Sequence, residues 1–290
     1  MADKAPAQGK YPPSYIMALV CDIRGFTDLT ARVDEYVQSV LNPEATCKQL
    51  VKHYTLYMIE TQRLARAKII DPLLRQYKNL SYAVKSTGDG YLVAIELGAI
   101  YYHVPRSGFD DNWLQKALRL TKGLVELVKE AEPKAGGGEF GILTYEFLKR
   151  WSEEIGVDMD WINSKSPRFD ATQSRVAGAL AMGTGFLSGR AMKDEAKDKP
   201  NLRYADAFGH SVNMAFRLCN AAGRRREERQ GGRDVSPFIL IDRRVARLLL
   251  AAEKRYDSEL EQELRGYGLI PYKDPIGLKG IEENWCYALD

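Results

Sequence analysis

The chain predicts a layered domain of mixed strands and helices, α/β or α+β in class. Three observations carry this. Apolar strand-like runs alternate with stretches of helical period along the chain. A turn at Gly88-Asp89-Gly90 joins two β-rich runs into a hairpin. No repeat and no long linker divides the 290 residues.

Each element follows from local pattern. Residues 1–13 are polar with Pro and Gly and read as a tail, leaving 14–290 as a single domain. "YIMALVC", Tyr15 to Cys21, is apolar throughout and reads as a buried strand over roughly 15–22, ending at Asp22. Thr27-Asp28 caps a predicted helix that runs to Asn42-Pro43, and residues 44–70 follow as a second, long helix. "YAVKSTGDGYLVAIEL" is the hairpin. "NWLQKALRLTKGLVELVKEA" is an amphipathic helix that stops before Pro133, and "EFGILTYEFLKRWSEEIG" reads as another. "RVAGALAMGTG" is strand-like, with "FLSGRA" as its expected pairing partner. "DAFGHSVNMAFRL" turns helical in its second half; "PFILI" is a strand, "DRRVARLLLAAEKR" a helix and "ENWCYAL" a closing strand.

Composition narrows the function classes. Hydrophobic content of 45% and charged content of 28% suit a folded domain with a sizeable core. A formal charge of +3 is too small to argue for nucleic acid, and Glu227 and Glu228 dilute the Arg224–Arg226 run. The four cysteines are scattered, without a CxxC pair, and Cys21 reads as a buried free thiol of a reducing compartment. No apolar run approaches the ~20 residues of a membrane span. A cytoplasmic protein with neither membrane nor nucleic-acid partner is the expectation.

The chemistry-bearing residues come in three groups. Asp22 ends a core strand and Asp89 occupies a hairpin tip; pairing of that hairpin with the first strand would set the two carboxylates side by side, where a divalent cation relieves their repulsion. After Asp22, the N–H groups of Gly25, Phe26 and Thr27 near a helix start offer an anion nest suited to phosphate. Asn213 and Arg217, four apart, share one helix face, an amide and a guanidinium suited to a sugar and a phosphoryl group. Asp206 precedes that helix and Lys85 lies four before Asp89; one accepts and one donates, as an edge of a base requires. Each motif alone has a plainer reading: a helix cap, a turn, a solvated helix face.

Together "DIRGFT", "VKSTGDGYLVA", "DAFGHSVNMAFRL" and the tail "GLKGIEENWCYAL" resemble, in order, the class III nucleotide cyclases. The resemblance implies an α+β, ferredoxin-like βαββαβ core with an added C-terminal βαβ portion, working as a head-to-tail homodimer. It implies that Asp22, Asp89 and the carbonyl of Ile23 hold two divalent metal ions, Mn²⁺ or Mg²⁺. Asn213 would orient the ribose and Arg217 would stabilise the transition state from the twin subunit. Lys85 and Asp206 match the base-reading positions, and Lys279 matches a late lysine near the triphosphate. The implied reaction is attack of the ribose 3′-oxygen on the α-phosphorus of a nucleoside triphosphate, releasing pyrophosphate. His210 stands where the family has Asn or Asp and reads as tolerated variation. The Glu132–Gln173 segment reads as an insertion, and no sensor or receiver module is recognisable; in both respects the chain is similar to bacterial anti-phage pyrimidine cyclases of the Pycsar type. That likeness implies cyclic UMP or cyclic CMP acting on a separate effector. The Lys85/Asp206 pair also suits ATP, and adenylate cyclase is the rival. A non-catalytic nucleotide-binding homologue is the other, although both acids, the amide and the arginine are present. The GG(D/E)EF-type hairpin of diguanylate cyclases is not matched by "STGDGYLVAI".

Overall fold

A computed structural model describes residues 14–24, 62–99, 111–130, 176–193, 200–223, 238–252, 269–272 and 286–289, with single helical positions at 31, 35, 38, 48, 59 and 153. The strands are β1 (Ser14–Ile23), β2 (Ser81–Ser86), β3 (Gly90–Ala99), β4 (Val176–Ser188), β5 (Met192–Lys193), β6 (Leu202–Tyr204), β7 (Asp206–Gly209), β8 (Ile239–Ile241), β9 (Leu269–Tyr272) and β10 (Cys286–Leu289). A π-helical stretch, Arg66–Ile70, runs directly into α1 (Asp71–Gln76); α2 (Asp111–Glu130), α3 (His210–Ala221) and α4 (Arg243–Ala252) follow.

The ten described strands join one sheet, in the order β5-β6-β2-β3-β1-β4-β8-β10-β9, with β7 added along the far end of β4. At its centre β2, β3, β1 and β4 lie side by side, each antiparallel to its neighbour. With helix before β2 and α2 between β3 and β4, this is the ferredoxin-like βαββαβ arrangement, an α+β fold. Beyond it β8 joins parallel to β4, and β10 and β9 extend that edge.

β1 reads as a continuous apolar run because both of its faces are covered. Met17, Leu19, Cys21 and Ile23 belong to the layer that contains α2, with Leu120 and Leu124 fully buried. Ile16, Ala18 and Val20 belong to the layer beneath α3, with Val212, Ala215, Leu218 and Cys219. That second layer is rich in alanine (Ala18, Ala83, Ala94, Ala177, Ala179, Ala181), so α3 lies close against the strands. Trp113 packs as a core residue: its Nε1 donates to the Leu97 carbonyl at 2.9 Å, and its ring stacks on Tyr15.

Two expectations change, and one strand is new. "FLSGRA" is not the partner of the strand before it: Phe186–Ser188 continue β4 as one 13-residue strand, whose end pairs instead with β7. The helix leading to β2 does not stop near residue 70 but widens into a π turn and continues through Pro72 to Gln76. Pro72 has no N–H to donate, and the wider turn just before it absorbs that loss; Arg66 and Asp71, five apart, bridge the turn at 3.2 Å. β9 had no signal of its own in the sequence. The Thr27–Asn42 helix, "EFGILTYEFLKRWSEEIG" and the 132–173 insertion fall outside the described residues, apart from single helical positions.

Candidate active site

Asp22 is placed by β1 and Asp89 by the β2–β3 turn. In the β1–β3 ladder Asp22 lies opposite Gly90, so the residue after Asp89 is the cross-strand neighbour of Asp22. The turn closes through the Thr87 N–H, which donates to the Gly90 carbonyl at 3.0 Å. Gly88 takes φ +91° within it, a conformation that costs a non-glycine residue. Gly90 meets a different demand: a Cβ there would stand 2.6 Å from the Cys21 carbonyl oxygen and 2.9 Å from Asp22 Oδ1.

The electrostatics follow from that closeness. Burial and the neighbouring Asp22 carboxylate push the Asp89 carboxyl up to about 6, although the Arg24 guanidinium pulls the other way. Two hard oxygen ligands that resist joint ionisation suit a divalent cation completed by phosphate oxygens. Among the described residues no group of three or more His, Cys, Asp or Glu side chains gathers. Gln62, Ala65 and Tyr91 line the same cleft. Gln62 donates to Ser86 Oγ at 2.7 Å and so ties the preceding helix to the hairpin.

Lys85 and Asp206, 121 residues apart, meet in an ion pair of 2.6 Å. Lys85 lies opposite Leu92 and Asp22 opposite Gly90, so the pair and the acids share one end of the sheet. Burial raises the Asp206 carboxyl, but hydrogen bonds from Lys85 and the Ala207 N–H, with the Lys85 charge, outweigh it and leave the group lowered. Lys85 is 49% exposed, which leaves the pair open to a ligand.

Asn213 and Arg217 lie with His210 and Asn220 on the exposed face of α3, turned away from the buried face formed by Ser211, Ala215, Leu218 and Cys219. They therefore point away from the sheet that carries Asp22. Gly25, Phe26, Thr27 and Lys279 lie outside the described residues. Cys21 and Cys219 are free and buried, and burial pushes the Cys219 thiol up to about 12. No described helix is long and apolar enough to cross a membrane.

Sequence reasoning missed Arg24 and Gln62. Arg24 carried little signal, since it lies in the turn just past the end of β1. Gln62 carried none, because only folding brings residue 62 to the hairpin.

No family model matches the chain, and no curated protein does. Solved structures do. A guanylyl cyclase, Cya2, aligns at 16% identity and a TM-score of 0.41 over 96% of this chain and 94% of that one. A bacterial light-regulated adenylyl cyclase aligns at 11% and 0.40, over 96% and 51%. An adenylate/guanylate cyclase/hydrolase from Silicibacter pomeroyi aligns at 16% and 0.37, over 96% and 98%. These are distant likenesses.

Proposed function

We propose that this protein is a nucleotide cyclase, converting a ribonucleoside triphosphate into a 3′,5′-cyclic mononucleotide and pyrophosphate. The observation that carries the reading is the meeting of Asp22 with Asp89 at the same end of the sheet as the Lys85–Asp206 pair. An acid pair beside a matched donor and acceptor suits a metal-bound polyphosphate with its base held alongside.

Asp22, Asp89 and the Ile23 carbonyl would hold two Mn²⁺ or Mg²⁺ ions. Such ions supply charge neutralisation of the triphosphate and acidification of the attacking hydroxyl. Gly25, Phe26, Thr27 and Lys279 would grip the phosphates. Lys85 and Asp206 would exchange their mutual bond for bonds to the base edge. Asn213 would orient the ribose so that its 3′-oxygen faces the α-phosphorus, and Arg217 would stabilise the charge that develops there. Because both face away from their own sheet, a second copy of the chain, packed head to tail, would have to receive them. Positioning and charge neutralisation carry most of such catalysis.

The pyrimidine reading, UTP or CTP to a cyclic messenger that activates a separate effector in anti-phage defence, rests on the sequence resemblance set out above; ATP is the rival substrate. Purified protein with Mn²⁺ is to be incubated with each of the four NTPs and the products identified. Cyclic UMP or cyclic CMP is expected. Cyclic AMP alone would overturn the pyrimidine assignment, and no cyclic product from any of the four would overturn the enzyme.

A further inference from the structure

Arg24 is held from two sides. Its Nη1 stands 3.7 Å from Asp22 Oδ2, while Nη2 donates to the carbonyl of Cys219 and lies 3.7 Å from the Cys219 sulfur. Its Nε is buried with no hydrogen-bond partner among the described residues, and the side chain is only 20% exposed. This is no solvated surface charge. Cys219 lies in the last turn of α3, where its carbonyl accepts from the Ala222 N–H as well as from Arg24 and the helix dipole favours a cation. A planar guanidinium, with donors on two edges, can serve a carboxylate and a helix end together; a lysine ammonium of similar reach serves one well.

The helix end it grips belongs to the element that carries Asn213 and Arg217, the latter two residues before Cys219. We infer that Arg24 is a positioning residue that clasps Asp22 to the C-terminal end of α3, so that the acid pair and the Asn213/Arg217 face of one chain shift together. What those two halves do rests on the function proposed above. In a head-to-tail dimer they serve different reaction centres, so the clasp links the two centres through the body of each protomer. Arg24 also sets a fixed positive charge beside the cation ligands, which opposes a divalent ion until polyphosphate brings compensating negative charge.

The test compares wild type with Arg24→Met and Arg24→Lys, all checked for wild-type circular dichroism. Mn²⁺ binding without nucleotide is read by the EPR signal of the free ion, and amide hydrogen exchange is followed over residues 217–222. Mn²⁺ is expected to change exchange at the end of α3 in wild type but not in Arg24→Met, which should bind Mn²⁺ about tenfold more tightly through loss of the opposing charge. Arg24→Lys should keep wild-type Mn²⁺ affinity yet lose most of the exchange response. Turnover should fall by at least about tenfold in both variants with KM little changed. An undiminished exchange response in Arg24→Met, or weaker Mn²⁺ binding there, would overturn the clasp. Should wild type make no cyclic nucleotide while the exchange and Mn²⁺ results hold, the clasp stands and the cyclase assignment falls.

Discussion

Asp22 faces Gly90 directly across the β1–β3 ladder, and the glycine leaves no room for a side chain between the Cys21 carbonyl and the Asp22 carboxylate. The acid pair is built on this close approach. The backbone neighbour at 2.6 Å cannot swing aside as a flexible side chain would. Gly90→Ala is therefore expected to destabilise the fold by about 1–3 kcal/mol and to weaken Mn²⁺ binding by at least roughly tenfold. Chemical denaturation and a Mn²⁺ titration measure the two effects. Wild-type values for both would remove the steric argument.

The raised Asp89 carboxyl has a consequence for stability with a definite sign. The folded chain keeps the Asp89 proton up to about pH 6, whereas the unfolded chain releases it near its ordinary 3.8. Between those values the folded state binds more protons, so raising pH through this window weakens the metal-free fold, and above it the loss is complete. Asp89→Asn abolishes this term. At pH 7 without metal the variant should be more stable than wild type by up to about 1 kcal/mol, a half-exposed carboxylate being partly screened. At pH 3.5 the two should coincide. Asp242, pushed up to about 6 by burial, titrates in the same window, so the difference between variant and wild type is the quantity to read in thermal melts. Mn²⁺ should reverse the order at pH 7, and cyclisation should be lost in the variant.

Lys85 and Asp206 form a partly exposed pair, and such pairs contribute about 0.2–1 kcal/mol to stability at most. Lys85→Ala and Asp206→Ala should therefore fold like wild type while losing discrimination between bases. We expect kcat/KM for the preferred NTP to fall by at least about tenfold in each, and the double variant to lose less than the product of the two. Unchanged preference across four NTPs would place base recognition elsewhere.

Asn213 and Arg217 on the outer face of α3 make a sharper demand. If a twin subunit receives them, Asp89→Asn and Arg217→Ala are each inactive, yet mixing them restores activity. Half of the randomly assorted dimers are then mixed, each with one intact centre, giving about a quarter of wild-type turnover. A mixture as inactive as its components would show that one chain supplies the whole site.

Much of this was legible in the chain itself. Continuous apolarity of residues 15–21 predicts a strand covered on both faces, and the Gly-Asp-Gly turn predicts the hairpin; both are local signals, carried by side chains within a few residues of each other. The 3.6 period of residues 210–221 predicts the helix and sets Asn213 and Arg217 on one face. The continuation of β4 through Phe186–Ser188 was misread because Gly183 and Gly185 look like breaks, when both sit inside a single strand. Arg24 went unassigned because its second partner is a backbone carbonyl 195 residues away.

By itself the amino-acid order determined the class of the fold, its central strands and the list of acids, amides and cations available for chemistry, because periodicity and turn residues act over a few positions. Only the folded chain decided which of these meet. The pairing of β1 with β3 put Asp22 against the Asp89 turn, the packing of β7 beside β2 closed Lys85 onto Asp206, and the seating of α3 on an alanine-rich face brought its last turn to Arg24. Each of these contacts joins residues at least 67 positions apart, and such contacts form when whole elements bury their apolar faces together, a condition that no local stretch encodes.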